Sequence, residues 1–255
     1  MNKKQEVQRQ FGSHAQQYVT SETHAKGNDL TALLNAGNAD HTDIVLDIAT
    51  GGGHVANGFA PFAKQVIALD ITKRMLEKAE EFINGNGHKN VYFVQGDAEQ
   101  LPFPDDSFTI VACRIAPHHF PSVTNFVKES YRVLKENGAF LLLDNVAPEN
   151  DILDSFYNNV EKKRDYSHNR AYKKSEWLNI VEEAGFYVQT MQTFSKTFPF
   201  ESWCNRMSLP SQEKGQLQEY MLHAPVIVKQ HFHIQTANNQ VVSFQGQSIL
   251  LHCRK

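Results

Sequence analysis

The chain has 255 residues, a formal net charge of −3 and 41% hydrophobic residues, enough for one large domain with a substantial core and too balanced in charge to call for a nucleic-acid partner. Its apolar runs are too short to cross a bilayer, and the polar start MNKKQEVQRQFGSHAQQY shows no signal-peptide segment. Three widely spaced cysteines, Cys113, Cys204 and Cys253, form no metal or redox motif, so a cytoplasmic protein with no membrane-inserted segment is expected.

Residues 5–37 read as helical, with Leu30, Leu33 and Leu34 on one face and Gly37 as the stop. Short apolar runs then alternate with helical patterns. The runs are Ile44–Ile48, Val66–Leu69, Val91–Val94, Phe108–Ala112 and Ala139–Leu143, and the helices fall near 54–62, 73–84 and 122–136. Runs of this kind predict buried parallel strands in a doubly wound α/β sheet. After Asp144 the pattern changes. Residues 148–167 are charged and polar, Ser175–Ala184 read as a helix stopped by Gly185, and a strand follows at about 186–194. Residues 201–234 look helical, interrupted by Pro210 and Pro225, and Val241–Cys253 reads as a last strand entered through Ala237-Asn238-Asn239-Gln240. One domain, 1–255, is therefore expected: an N-terminal helical flap (1–39), a cofactor-binding half (40–145) and a substrate-side half (146–255) with a helical insertion at about 200–236. The insertion is either a lid over a pocket or a stabilising cap.

The stretch VLDIATGGGHVA, residues 45–56, has the outline of strand, tight turn and helix start. Its Gly51-Gly52-Gly53-His54-Val55-Ala56 fits the relaxed dinucleotide fingerprint G-x-G-x-x-A, in which glycines let a ligand approach the backbone beside the free N–H groups of a helix end. Asp70 closes the next run, VIALD, where a carboxylate can accept from ribose hydroxyls. Both an NAD site and an S-adenosylmethionine site are served by this pair. Asp47, inside the first strand, suits the cationic amino-acid end of S-adenosylmethionine better than it suits NAD, although a carboxylate there can also serve as a strand-end hydrogen-bonding group. Asp97 and Ala98, in GDAEQLPFPDDSF, stand where a carboxylate and the next backbone N–H can read an adenine edge.

The segments VLDIATGGG, VIALD, GDAEQLPFPDDSF, APHHF and RVLKENGAFLLLD, in this order over about residues 40–145, resemble the class I S-adenosylmethionine-dependent methyltransferases. Among these they are most similar to the small-molecule group of the ubiquinone/menaquinone-biosynthesis C-methyltransferases. The resemblance implies a Rossmann-like, seven-stranded sheet with an antiparallel last strand, preceded by N-terminal helices. It also implies that S-adenosylmethionine gives a methyl group to a small organic acceptor and leaves S-adenosylhomocysteine. Carried over, it puts Ala49, Gly51 and Gly53 along the methionine moiety, Asp70 on the ribose, Ile71 and Met75 against the adenine, and Asp97 and Ala98 at the adenine edge. Arg114 would offer its carbonyl near the methionine amino group, and Tyr18, in the N-terminal helix, would close the pocket or touch the acceptor. Met75 can equally be core. Ala49 departs from the family, which usually opens the turn with glycine, and Thr109 stands where an aspartate is common.

Displacement at a sulfonium needs mainly positioning and exclusion of water, so no triad or dyad is required. Arg114-Ile115-Ala116-Pro117-His118-His119-Phe120 should face the methyl group, since open α/β sheets bind ligands beyond their strand ends. His118 or His119 is the candidate base or orienting group, with a structural role for both as the alternative. APHHF is only superficially like the Asn/Asp/Ser-Pro-Pro-Tyr/Phe element of DNA amino-methyltransferases. His231 and His233 would share a strand face, yet no third ligand accompanies them, so no metal is expected. Phe194, Phe198, Phe200 and Trp203 suggest an apolar acceptor pocket or ordinary packing. The alternatives carried forward are an NAD-dependent oxidoreductase and a non-catalytic S-adenosylmethionine-binding protein.

Overall fold

The apolar runs become strands because they are short, rich in β-branched or other bulky apolar residues, and bounded by polar turns. The computed structural model describes residues 3–19 and 27–255, of residues 13–19 the backbone only. After helices α1 (Lys3–Val19) and α2 (Asn28–Gly37), strands β1 (Ile44–Ile48), β2 (Gln65–Asp70) and β3 (Val91–Gln95) alternate with α3 (His54–Phe59) and α4 (Lys73–Gly85). Next come β4 (Phe108–Arg114), α5 (Val123–Val133) and β5 (Leu134–Val146). All neighbours among β1 to β5 pair in parallel. The second half holds α6 (Asp151–Arg164), α7 (Lys174–Glu183), β6 (Tyr187–Pro199), α8 (Phe200–Asn205), α9 (Ser211–Leu222), α10 (Val226–His231), β7 (Gln235–Ala237) and β8 (Gln240–Arg254).

The sheet order is β3-β2-β1-β4-β5-β8-β6, with β7 paired to β8 off this path, and β8 runs antiparallel to both its neighbours. The expected doubly wound sheet with an antiparallel last strand is present, with eight strands rather than seven. The extra one is β7, formed because Asn238 (φ 48°) and Asn239 (φ 57°) both take the left-handed conformation of a tight hairpin turn.

Period-two alternation builds a core on each face of the sheet. Leu46, Ile48, Val111, Cys113, Phe140 and Leu142 pack with Phe126 and Trp177 on one side. Val45, Val66, Ala68, Ile110, Leu141 and Leu143 pack with Leu33 and Phe59 on the other. A third cluster, with Phe156, Tyr157, Trp203, Leu217 and Phe244, joins α6, α8, α9 and β8.

Several boundaries differ from the sequence reading, each for a local reason. The span 148–167 contains α6, whose apolar residues Leu153, Phe156, Tyr157 and Val160 follow i, i+3, i+4, i+7 spacing amid charge. Asn150 caps it by accepting from the N–H groups of Ile152 and Leu153. The helix expected to reach 136 stops at Val133, and β5 starts at once. His231 ends α10 and His233 sits in a turn at φ 46°, so the two do not share a strand face. Pro210 and Pro225 start α9 and α10, as their missing N–H favours.

Gly185 (φ 103°) terminates α7 as expected. Gly37 is different: Asn38 makes the left-handed turn at φ 43°, while a Cβ on Gly37 would meet the Phe59 ring at 2.8 Å. Gly37→Ala should therefore cost about 1–3 kcal/mol through overpacking, whereas Asn38→Gly should change stability little. Urea titration of both variants checks this contrast.

Candidate functional site

The chain moves outward from β1 to β2 and β3, then returns to place β4 on the other side of β1. Connections therefore leave the carboxyl ends of β1 and β4 in opposite directions, and a crevice opens there. It is a cleft of about 700 Å³ lined by Asp47, Ala49, Gly51, Asp70, Met75, Arg114 and His119, together with Phe11, Thr50, Gly52, His54, Val55, Thr72, Ile115 and Ala116. Six of the expected donor-site residues thus share one cavity.

Three others fall next to it. Ile71, Asp97 and Ala98 line an adjoining cavity of about 330 Å³ that shares Ala49 with the cleft. Gly53 lines neither. It is the left-handed N-cap of α3 at φ 83°, and a Cβ on it would meet Ile83 at 2.9 Å, so its bareness serves helix packing. Tyr18 has its side chain outside the described residues. The N-terminal helix does close over the cleft, through residues the sequence did not single out. Lys4 pairs with Asp97 and Glu99, Gln8 donates to the Ile71 carbonyl at 2.9 Å, and Phe11 meets His119 edge to face at 4.9 Å.

Asp47 and Asp70 are buried at neighbouring strand ends. Asp47 accepts from the Thr50 hydroxyl (2.6 Å) and the Ala56 N–H (3.0 Å), and Asp70 from the N–H groups of Gly51 (3.0 Å) and Thr72 (2.8 Å). Among the described residues neither has an ion-pair partner. Burial pushes the Asp47 carboxyl up to about 7 and the Asp70 carboxyl up to about 6, against the hydrogen bonds they accept. A site of this kind fits a ligand that brings its own positive charge together with hydroxyl donors. The bare Gly51, at φ 55°, gives such a ligand room beside Met75.

Two residues on the rim are strained. Ala49 (φ 55°) and Ile115 (φ 53°) are left-handed, and for a β-branched residue that costs roughly 1–3 kcal/mol. The Ile115 N–H donates to the Leu143 carbonyl at 2.7 Å, which holds the turn. Ile115, His119, Arg114 and Phe11 are also shared with a second cleft, of about 730 Å³, lined further by His118, Asn145, Glu161, Arg164, Asp165, Lys196, Phe198, Trp203 and Arg206. Of the aromatics read as a pocket wall, Phe198 and Trp203 line this cleft. Phe200 belongs to the third core cluster, and Phe194 packs on the core of the sheet.

The two histidines differ. His118 donates its backbone N–H to Asp144 Oδ2 (2.8 Å) and its Nδ1–H to Asp144 Oδ1 (2.6 Å). Burial alone would lower its pKa, but the Asp144 charge and hydrogen bond outweigh that and leave it raised above 6.5. His119 is lowered to about 3 by burial and by the charge on His118. The Ser167 hydroxyl donates to Asp165 (2.6 Å), so toward His119 Nδ1, 3.3 Å away, it accepts. That places the His119 proton on Nδ1. His168, also held neutral by burial, reaches Asn158 Oδ1 through Nε2 at 3.0 Å.

Asp144, Asp165, Ser167 and His168 were missed in the sequence because they lie at the end of β5 and after an unread helix. Behind the rim, Arg114 and Lys196 both donate to Asp29 of α2, at 3.0 and 2.9 Å. The Arg114 side chain is thus tied to α2.

Two measurements follow from these geometries. In nitrogen-detected imidazole titrations, His118 should show a midpoint above 6.5 that falls in Asp144→Asn, while His119 stays neutral down to acid pH. For Asp47, the folded pKa near 7 lies above the unfolded value of 3.8. Its contribution to stability is therefore full below pH 4 and is lost as pH rises through 7. Asp47→Asn should flatten this decline, to which Asp47 contributes on the order of 4 kcal/mol in the ligand-free wild type between pH 4 and 8. Denaturant melts across that range read it.

A methyltransferase-domain family model matches residues 46–142. Uncharacterized methyltransferase YcgJ of Bacillus subtilis is 38% identical over 242 residues, covering 94% of this chain and 96% of the relative. The ubiquinone/menaquinone biosynthesis C-methyltransferase UbiE of Rickettsia bellii is 34% identical over 151 residues, 56% of this chain and 58% of its own length. Among solved structures, a Bacillus halodurans chain described as a candidate methyltransferase shares 53% identity at a TM-score of 0.88, over 90% of this chain and 99% of that one. YcgJ superimposes at a TM-score of 0.87, over 89% of this chain and 97% of that one. Nothing in these likenesses supports the oxidoreductase alternative. With its strand order and crevice, the chain belongs to the S-adenosylmethionine-dependent methyltransferases.

Proposed function

We propose that the protein transfers a methyl group from S-adenosylmethionine to a small organic acceptor and releases S-adenosylhomocysteine. The observation that carries this reading is the pair of buried carboxylates, Asp47 and Asp70, facing a cleft beside bare backbone at Gly51. Asp70 takes the ribose hydroxyls, and Asp47 balances positive charge at the methionine end. Ala49 and Gly51 pass along that moiety, the Arg114 carbonyl faces its amino group, and Met75 and Ile71 flank the base. Asp97 and Ala98 read the adenine edge once Lys4 yields its place on Asp97. Gly53 shapes the turn without touching the ligand.

When bound, the donor supplies a sulfonium methyl, already activated toward displacement. The chain's own residues then have three tasks: to align the acceptor, to exclude water, and to take a proton where the nucleophile must lose one. The second cleft, which meets the first at Ile115 and His119, is the acceptor side. His118, with Nδ1–H fixed on Asp144, presents Nε2 as the proton acceptor once it is neutral. Neutral His119 orients the acceptor at the junction. On this reading residues 1–255 act as one domain, with 1–39 as flap, 40–145 as donor half and 146–255 as acceptor half. No helix among the described residues is long and apolar enough to cross a membrane. The three buried, unbridged cysteines fit a reducing cytoplasm, and the net charge gives no pull toward nucleic acid.

Titration calorimetry should show binding of S-adenosylmethionine and S-adenosylhomocysteine and none of NAD. Asp70→Ala and Asp97→Ala should each weaken it by about 1–3 kcal/mol through lost hydrogen bonds. Unchanged affinity in both variants would overturn the donor site. Release of S-adenosylhomocysteine from an acceptor library then separates an enzyme from a non-catalytic binder.

A further inference from the structure

His231 and His233 stand out in the sequence and line neither cleft, yet the fold brings them to one place. A further cavity, of about 770 Å³, opens beside them between the segment after β5, the start of α7, β6, the end of α10 and β8. It lies on the far face of the sheet from the acceptor cleft, because successive side chains of a strand alternate. On β5, Asn145 lines the cleft and Val146 the cavity; on β6, Lys196 lines the cleft and Ser195 the cavity. The strands thus keep the two spaces apart.

The polar groups of this cavity are donors in excess. Lys174 donates to Gln247 Oε1 at 2.7 Å and makes no ion pair among the described residues. That bond occupies the oxygen of the Gln247 amide, and its NH2 group has no acceptor among those residues. The rings of His231 and His233 make no hydrogen bond there either. The one acid of the lining, Glu149, is already engaged, for it accepts the Ser175 N–H at 3.1 Å and hydroxyl at 2.6 Å. Burial, and after it the charges of His233 and Lys174, hold the His231 imidazole below its usual 6.5, so the three basic groups are near enough to repel one another. With both imidazoles neutral, Glu149 and Lys174 balance. Each imidazole that takes up a proton adds a positive charge that no group of the lining matches.

We propose that this cavity is a ligand site for a small organic phosphate, whose phosphoryl oxygens are held by Lys174, the Gln247 amide and the imidazoles of His231 and His233. Donors arriving from α7, β8 and α10 suit a group with three strong acceptor oxygens better than a planar carboxylate with two. The cavity is larger than a phosphate alone needs, and Val146 and Phe232 offer an apolar wall to the carbon body. This site goes beyond the methyl-transfer reading and does not rest on it.

The test titrates the full chain with phenyl phosphate, with benzoate and with sodium chloride at matched ionic strength, read by calorimetry and by nitrogen-detected imidazole spectra. Phenyl phosphate should bind, raise the His231 midpoint further than chloride does, shift the His233 ring signals and leave those of His118 unmoved. Benzoate should bind more weakly. Lys174→Met, and His231→Gln combined with His233→Gln, should each weaken phenyl phosphate at least about tenfold, the worth of one charge-assisted hydrogen bond. Lys174→Arg should retain it, and all variants should keep the wild-type urea midpoint and affinity for S-adenosylhomocysteine. No binding of phenyl phosphate, benzoate bound as tightly, a His231 midpoint that follows ionic strength alone, or binding that survives Lys174→Met would overturn the proposal. So would movement of the His118 signals in place of the other two, which would put the ligand in the acceptor cleft.

Discussion

Keeping Asp47 and Asp70 where they are is costly, and much of the site follows from that cost. Each sits at the carboxyl end of a central strand, buried and without an ion pair among the described residues. A carboxylate so placed loses hydration that two hydrogen bonds replace only in part. Its pKa rises, and the ligand-free protein gives up stability as the pH approaches neutrality. A fold tuned for stability alone would have apolar residues here. On the proposed function, a positively charged nucleoside would offset that penalty by bringing a charge and hydroxyl donors to the two carboxylates.

The same logic, with the partners already supplied, governs the acceptor side. His118 is buried as deeply as the acids, but Asp144 meets it twice, through side chain and backbone, and raises its pKa against that burial. Burial, with the His118 charge adding to it, lowers the pKa of His119 and His168, while Asp144 raises that of His118, so three clustered histidines are driven in two directions. The loop bearing them is clamped from outside as well. The His118 carbonyl accepts from the N–H groups of Asn169 and Arg170, and Asn169 donates to the Phe120 carbonyl at 2.8 Å. The segment after α6 thus fixes the loop after β4, which is how the second half of the chain reaches the chemistry written in the first.

How much of this was legible in the sequence depends on whether the determinant is local. The strand-turn-helix at 45–56 and the acid at Asp70 declare themselves, because a glycine turn and a strand-end carboxylate are local patterns. For Gly53 the motif marks the position, but only the packing shows Ile83 where its Cβ would go. The helix at 151–164 carried a readable apolar stripe, yet its charged composition hid it. With it went Glu161, Arg164 and Asp165. Asp29 and Lys196 are 167 residues apart, and no short window can join them. Nor could the sequence show that Asp144, one of many acids, would turn toward His118.

The N-terminal helix raises a last point about energetics. Lys4 bridges Asp97 and Glu99, and Gln8 holds the Ile71 carbonyl, so α1 uses polar groups that line the adenine-side cavity. Lys4 and Asp97 are each about a third exposed, and ion pairs of that kind contribute only ~0–1 kcal/mol. Giving up the Lys4 pair therefore costs little against the hydrogen bond that the proposed adenine amino group would make to Asp97, whereas Phe11 against His119 keeps the helix anchored at the other end of the cleft. On the proposed function, α1 would yield only its weak polar contacts beside the adenine cavity, while Phe11 would still cover the junction between the two clefts.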